Sequence, residues 1–138
     1  PELSIKGAWS KELVKSEVLR LREKGIEIIP KLNFSTTHDV WMGEYGRMVS
    51  TSIYYKVCED LINEVYEMFL QPEYIHIGMD EAWDMGRGAF LNKHGYVPPF
   101  EIFTEFMDRL VAITDKYGLT PMMWSDMYFR IASGSSST

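Results

Sequence analysis

The chain is poor in cysteine, has no long apolar run and carries no excess of basic residues. The single Cys58 excludes an internal disulfide and any metal site built from several cysteines. A membrane-spanning helix needs about 20 consecutive apolar residues, and no such run is present. With 14 Lys and Arg residues against 20 Asp and Glu residues, the net charge is −6. This charge argues against nucleic acid as a partner, because phosphate binding needs a basic face.

The composition is that of a globular protein. The 138 residues are 46% hydrophobic and 25% charged, which suffices for one domain with its own core. The sequence starts at Pro1 without a signal-peptide pattern and ends in a serine-rich stretch, so we expect a piece of a longer protein. The missing signal pattern favours a cytoplasmic location but does not fix the compartment.

Apolar periodicity predicts alternating helices and strands. The predicted helices lie near residues 10–24, 53–69 and 100–118. The predicted strands lie at residues 26–32, 74–79 and 120–125. Long polar segments, 33–52 and 82–99, follow the first two strands, as loops do on the active side of parallel βα units.

This order predicts an α/β fold. We expect residues 1–138 to be about three βα units of a (β/α)8 TIM barrel, as a fragment of a single catalytic domain, since a complete barrel needs roughly 250 residues. An open parallel α/β sheet is the alternative, although no glycine-rich phosphate loop follows a predicted strand.

The most informative segment is Tyr74–Glu81, an apolar strand that ends in two adjacent carboxylates. Strand alternation places His76, Gly78 and Asp80 on one side, and Glu81 lies one step further. Gly78 removes a side chain where another group must approach closely. Because burying ionised carboxylates is costly, an acid pair at this place indicates a catalytic site rather than a surface turn.

Two adjacent acids suit divided chemical roles. If Asp80 is hydrogen-bonded it stays ionised, and its charge then favours the protonated form of Glu81. A proton donor beside a charge stabiliser is the combination that glycoside hydrolysis requires.

Three further residues are candidates for substrate binding. An indole at the mouth of a site can stack on a sugar ring, and Trp124 ends the third predicted strand. A core position explains Trp124 equally well. Asp126 follows closely and could bind sugar hydroxyls, and His38 in the first long loop could orient an acid.

Neither a metal nor a cofactor is predicted. His76, Asp80 and Glu81 offer ligand atoms for a divalent ion, but no helical histidine pair or His-x-His motif accompanies them.

The string HIGMDEAW resembles the His-x-Gly-x-Asp-Glu signature of glycoside hydrolase family 20, the β-N-acetylhexosaminidases. The segments FLNKHGY and MMWSDMYFR are similar to a bacterial exo-hexosaminidase branch of that family. The resemblance covers residues 74–134 well and the first 70 residues loosely.

The resemblance implies hydrolysis of terminal β-linked N-acetylglucosamine or N-acetylgalactosamine, with the acetamido oxygen of the substrate as nucleophile. It implies that Glu81 is the general acid and then the base. Asp80 would hold the acetamido N–H and stabilise the oxazolinium-like intermediate. Trp124 would wall the acetamido pocket, and His76 would be a structural support beneath the acids.

The sequence also departs from the family pattern. The usual Asp-x-Pro-Gly-His after the third strand is here PKLNFSTTHD, in which His38 would stand in for the histidine, and Met79 occupies a position where Gly or Ala is frequent. The arginine that binds sugar hydroxyls is missing, so we expect the isolated chain to be inactive. Exposed barrel edges would favour its self-association. Two alternatives remain: a non-catalytic carbohydrate-binding domain with a vestigial site, and a Mg²⁺-dependent barrel enzyme.

Overall fold

The structure, a computed structural model, describes residues 3–127 and 129. The serine-rich end noted in the sequence lies outside these residues. In chain order the elements are α1 (Lys11–Arg22), a 3₁₀ helix (Val40–Met48), α2 (Ser52–Met68), β1 (Tyr74–His76), α3 (Ala89–His94), α4 (Pro99–Lys116) and β2 (Thr120–Met122). This is an α/β arrangement, as the sequence predicts.

Three extended segments run side by side in chain order. Strands β1 and β2 pair in parallel, from Tyr74 opposite Thr120 to His76 opposite Met122. On the other side of β1, Lys31 forms an isolated parallel bridge with His76. Parallel neighbours that follow one another in the chain need crossover connections, and α2 and α4 lie in the two connections here.

The prediction of a strand at residues 26–32 is wrong for most of that segment. Only Lys31 bridges to β1, while the Ile26 N–H bonds back to the Leu21 carbonyl in the turn after α1. Ile26 and Ile29 are 50% and 42% exposed, so this segment is not the buried strand that its β-branched residues indicate. Pro30 contributes only its carbonyl, which accepts the His76 N–H at 2.9 Å, because proline has no N–H to donate.

The helices form where local sequence caps them. Ser10 Oγ accepts the Leu13 N–H at 3.2 Å before α1, and Thr51 Oγ1 accepts the Tyr54 N–H before α2. Pro99 opens α4, a position at which its missing N–H costs nothing. All three predicted helices are confirmed. The long segments, predicted as irregular, also contain the 3₁₀ helix and α3.

The core lies between the helices and one face of the parallel segments. Ile75, Ile77 and Met79 are fully buried, which confirms the predicted alternation, and Phe103 and Phe106 of α4 are buried as well. The opposite face of the same segments is left for the polar residues of the site. No helix in the described part of the chain is long and apolar enough to cross a membrane.

Candidate active site

Asp80 and Glu81 lie just beyond the carboxyl end of β1, between the two neighbouring extended segments. On one side, the Trp124 N–H donates to the Gly78 carbonyl at 2.9 Å. On the other side the Phe34 N–H donates to the Ile77 carbonyl at 3.1 Å. The Asp80 side chain is 32% exposed and that of Glu81 is 59% exposed. The pair therefore sits at the edge where ligands bind in parallel α/β proteins.

The Asp80 carboxylate is fixed through one of its two oxygens. Asn33 Nδ2 donates to Asp80 Oδ1 at 3.0 Å, and Ser35 Oγ lies 3.2 Å from the same atom. Burial acts to raise the pKa of Asp80, but its own backbone N–H, the Asn33 and Ser35 bonds and the nearby His38 outweigh burial and lower it. Asp80 is thus a carboxylate at neutral pH.

Gly78 and Asn33 are packed so closely that no side chain fits at position 78. Gly78 has φ +79°, and a Cβ there would lie 2.1 Å from Asn33 Oδ1. That oxygen accepts the Ser35 backbone N–H at 3.0 Å. Trp41 packs on Phe34 and donates its indole N–H to the Asn33 carbonyl at 3.0 Å. Trp41 therefore supports the residue that holds Asp80.

His38 lies between the two acids. Its Nε2 is 3.4 Å from Asp80 Oδ2 and 3.4 Å from Glu81 Oε2. The preceding residue, Thr37, donates its hydroxyl to the Glu81 carbonyl at 2.6 Å. Because Glu81 has φ +52°, in the left-handed region, this hydrogen bond holds a backbone conformation that a non-glycine residue rarely adopts.

His76 and Trp124 form the side of the site nearer β2. The Gly78 N–H donates to His76 Nδ1 at 3.1 Å, so a neutral His76 carries its proton on Nε2. Burial and the charge of Lys31 lower the pKa of His76, with Asp80 acting in the opposite direction. The His76 ring lies 5.0 Å from the Trp124 ring, which is half exposed with Lys31 Nζ 5.4 Å from its centre. His76 thus packs against Trp124, and about half of the Trp124 side chain stays exposed.

Asp126 is the predicted residue for which the structure shows no contact with the acid pair. It is half-buried at a helical position two residues beyond Trp124. Within the described residues it has no hydrogen bond or ion pair with Asp80 or Glu81. The structure brings the other predicted residues together: His38, His76, Gly78, Asp80, Glu81 and Trp124.

Three polar residues of the first long loop were missed by the sequence prediction. Asn33, Ser35 and Thr37 all contact the acid pair, through Asp80 or through the Glu81 backbone. Their position in the sequence could have predicted these contacts, because polar residues directly after one parallel segment lie close to those directly after the next. Among the residues described, no three His, Cys, Asp or Glu side chains are grouped so that they could hold a metal ion.

Comparisons with known proteins bear on the family and the fold of the chain. The family model described as glycosyl hydrolase family 20, catalytic domain, matches residues 24–136. The X-ray structure of a chitobiase from Flavobacterium johnsoniae superposes with a TM-score of 0.70 at 24% sequence identity, over 91% of this chain and 23% of that one. The chain thus spans about a quarter of that protein, and the likeness shows a shared fold. No curated protein sequence matches the chain.

Proposed function

The chain belongs to glycosyl hydrolase family 20, and we propose that it carries the acid pair of an enzyme that removes terminal β-linked N-acetylglucosamine or N-acetylgalactosamine. The observation that supports this most is the pairing of a fixed, ionised Asp80 with an exposed Glu81 at the end of β1. The Asp80 carboxylate is held in place and would stabilise positive charge, and the exposed Glu81 side chain could reach a substrate.

In the first step the acetamido carbonyl oxygen of the substrate attacks the anomeric carbon. The bond to the leaving oxygen breaks, its electron pair stays on that oxygen, and Glu81 supplies the proton. The product is a cyclic oxazolinium ion, whose positive charge lies next to Asp80. Asn33 and Ser35 use Asp80 Oδ1, and the acetamido N–H would donate to Oδ2, which lies 3.4 Å from His38 Nε2.

In the second step Glu81, now a carboxylate, takes a proton from water. The water oxygen bonds to the anomeric carbon as the bond to the acetamido oxygen breaks, which restores the acetamide and regenerates the acid. Two inversions at the same carbon retain the configuration. Trp124, with its half-exposed indole beside His76, would wall the acetamido group, and Asp126 would bind a sugar hydroxyl.

We also propose that residues 1–138 form about three βα units of one (β/α)8 catalytic barrel. Three parallel segments in chain order, with helices in their connections, support this arrangement. The fold shared with the chitobiase supports it too. The remaining pocket would come from other strands, so the 138 residues alone are expected to be inactive.

The test uses the full-length protein and an aryl β-N-acetylglucosaminide. Glu81→Gln should lower turnover by about 10²- to 10⁴-fold, because general acid–base catalysis is worth about that much. The loss should shrink on substrates whose phenolate leaves without protonation. Glu101→Gln, on the surface of α4, is the matched control and should leave the rate unchanged.

Two results would count against the assignment. Undiminished turnover in the Glu81→Gln variant would show that this carboxylate is not the proton donor. Equal rates on aryl β-glucoside, which carries a hydroxyl in place of the acetamido group, would show that the nucleophile does not belong to the substrate.

A further inference from the structure

The turn that carries Glu81 follows a path that the pairing of the parallel segments does not set. Met79 and Glu81, on either side of Asp80, have left-handed φ values of +72° and +52°. The Trp83 N–H then donates to the Glu81 carbonyl at 2.8 Å. Left-handed residues other than glycine are strained and persist only where their surroundings hold them. Contacts from outside the turn are therefore needed to keep Glu81 in this conformation.

Two neighbouring threonines of the first long loop provide such contacts. The Thr37 hydroxyl donates to the Glu81 carbonyl at 2.6 Å, and Thr36 Oγ1 accepts the Asp84 N–H at 3.1 Å. The two hydrogen bonds span 44 and 48 positions of sequence, and they hold the first and the last residue of the segment 81–84. The Glu81 carbonyl accepts both the Thr37 hydroxyl and the Trp83 N–H, so both of its lone pairs are used.

The Glu81 carboxylate itself has little contact with the protein. The side chain is 59% exposed, and its only ion pair within the described residues is with His38 Nε2 at 3.4 Å. The position of the carboxylate therefore depends mainly on the backbone from which the side chain extends. A proton donor acts within about 2.6 to 3.2 Å of the atom that it protonates. Because a displacement of about 1 Å can lower a rate about 10²-fold, the hold on the Glu81 backbone matters for the reaction.

We propose that Thr37 is a positioning residue for the proton transfer by Glu81. Its hydroxyl holds the Glu81 carbonyl and so maintains the left-handed backbone that directs the acid side chain towards the leaving oxygen. Thr36 holds the far end of the same turn. This inference rests on the proposed function, because it requires Glu81 to be the proton donor.

The kinetic test compares two substrates in the full-length protein. The leaving sugar of N,N′-diacetylchitobiose needs a proton, whereas the phenolate of 2,4-dinitrophenyl β-N-acetylglucosaminide leaves without one. Thr37 is exposed, so valine, which has nearly the same shape without the hydroxyl, should leave the fold intact. Thr37→Val should lower kcat for the disaccharide by about 3- to 10-fold, as expected for one lost hydrogen bond, and kcat for the aryl glycoside much less.

Two further variants serve as controls. Thr37→Ser keeps the hydroxyl and should restore the rate on the disaccharide. Thr104→Val also removes a hydroxyl that donates to a main-chain carbonyl, that of Phe100 at 2.9 Å, but on the exposed face of α4, and should change neither rate. Equal losses of Thr37→Val on the two substrates would indicate a merely structural role and overturn the inference, as would an unchanged rate on the disaccharide.

Hydrogen exchange separates this inference from the proposed chemistry. In the full-length protein the Trp83 amide, which donates to the Glu81 carbonyl, should exchange about 3- to 10-fold faster in Thr37→Val than in the wild type. Thr104→Val should leave this exchange rate unchanged. Faster exchange would support the hold of Thr37 on the turn even if the wild type hydrolysed neither substrate, a result that would refute only the proposed function. Unchanged exchange at Trp83 in Thr37→Val would overturn the inference.

Discussion

Asp80 and Glu81 are adjacent in sequence but have different surroundings. Asp80 receives hydrogen bonds from Asn33 and Ser35, whereas Glu81 is held through its backbone carbonyl by Thr37 and keeps an exposed side chain. Glu81 also has a left-handed φ of +52°, unlike the extended residues of β1. Two identical functional groups thereby acquire separate tasks.

The Gly78→Ala substitution tests the close contact with Asn33. An alanine in the left-handed region costs about 1 to 2 kcal/mol. We expect Gly78→Ala to destabilise the protein by more than this, because a Cβ would also collide with Asn33. Gly25→Ala is the matched control, since Gly25 has φ +75° and an open surrounding. Denaturant unfolding of both variants measures the difference. An equal loss of unfolding free energy in the two variants would show that Asn33 moves aside at little cost.

The Asp80→Asn substitution tests whether the charge of Asp80 stabilises the fold. The pKa of Asp80 is lower in the folded state than in the unfolded state. The contribution of its charge to stability is therefore fully present above the unfolded pKa of about 3.9, and it is lost as the pH falls through the folded pKa. The variant keeps an oxygen acceptor for Asn33 but lacks the charge. Its free energy of unfolding should be below that of the wild type at pH 7, and the gap should close below about pH 4. A gap that is constant with pH would contradict this prediction.

Among the elements, the helices follow the sequence more closely than the strands do. Helices α1, α2 and α4 begin and end near their predicted bounds because caps and apolar periodicity act within one or two turns. The strands β1 and β2 are three residues each, shorter than predicted. Gly78 and Met79, with φ +79° and +72°, turn the chain out of the extended conformation after His76.

Two phenylalanines of α4 test the packing of this helix against α2. Phe106 is fully buried and lies 5.8 Å from the Tyr54 and Tyr55 rings, whereas Phe100 is 42% exposed. Phe106→Ala should lower the free energy of unfolding by about 3 to 5 kcal/mol. Phe100→Ala should cost about 1 kcal/mol or less. Denaturant midpoints of the two variants check this order, and a reversed order would contradict the packing described.

At the scale of the whole molecule, the outer edge of the parallel segments governs the self-association of the isolated 138-residue chain. Within the described residues β2 pairs with β1 only, and the predicted barrel neighbours would cover its other edge. The exposed Trp9, Trp83 and Trp124 side chains add apolar surface. We therefore expect the isolated chain to self-associate.

Sedimentation velocity of the 138-residue chain should show oligomers that grow with concentration. Thr120→Lys, on the exposed edge strand β2, should reduce this association, because a charged side chain there resists edge-to-edge pairing. Thr104→Lys, on the exposed face of α4, adds the same charge elsewhere and should not. A monomer at all concentrations would refute the prediction.

The sequence by itself determined the helices, the buried face of Ile75 and Ile77, and the acid pair, because each depends on residues close together in the chain. Only the tertiary structure decided what holds those acids. Asn33 and Ser35 meet Asp80 across 47 and 45 positions of sequence. Such contacts depend on which segments pair in parallel and where each leaves the sheet, and local periodicity carries no information about either.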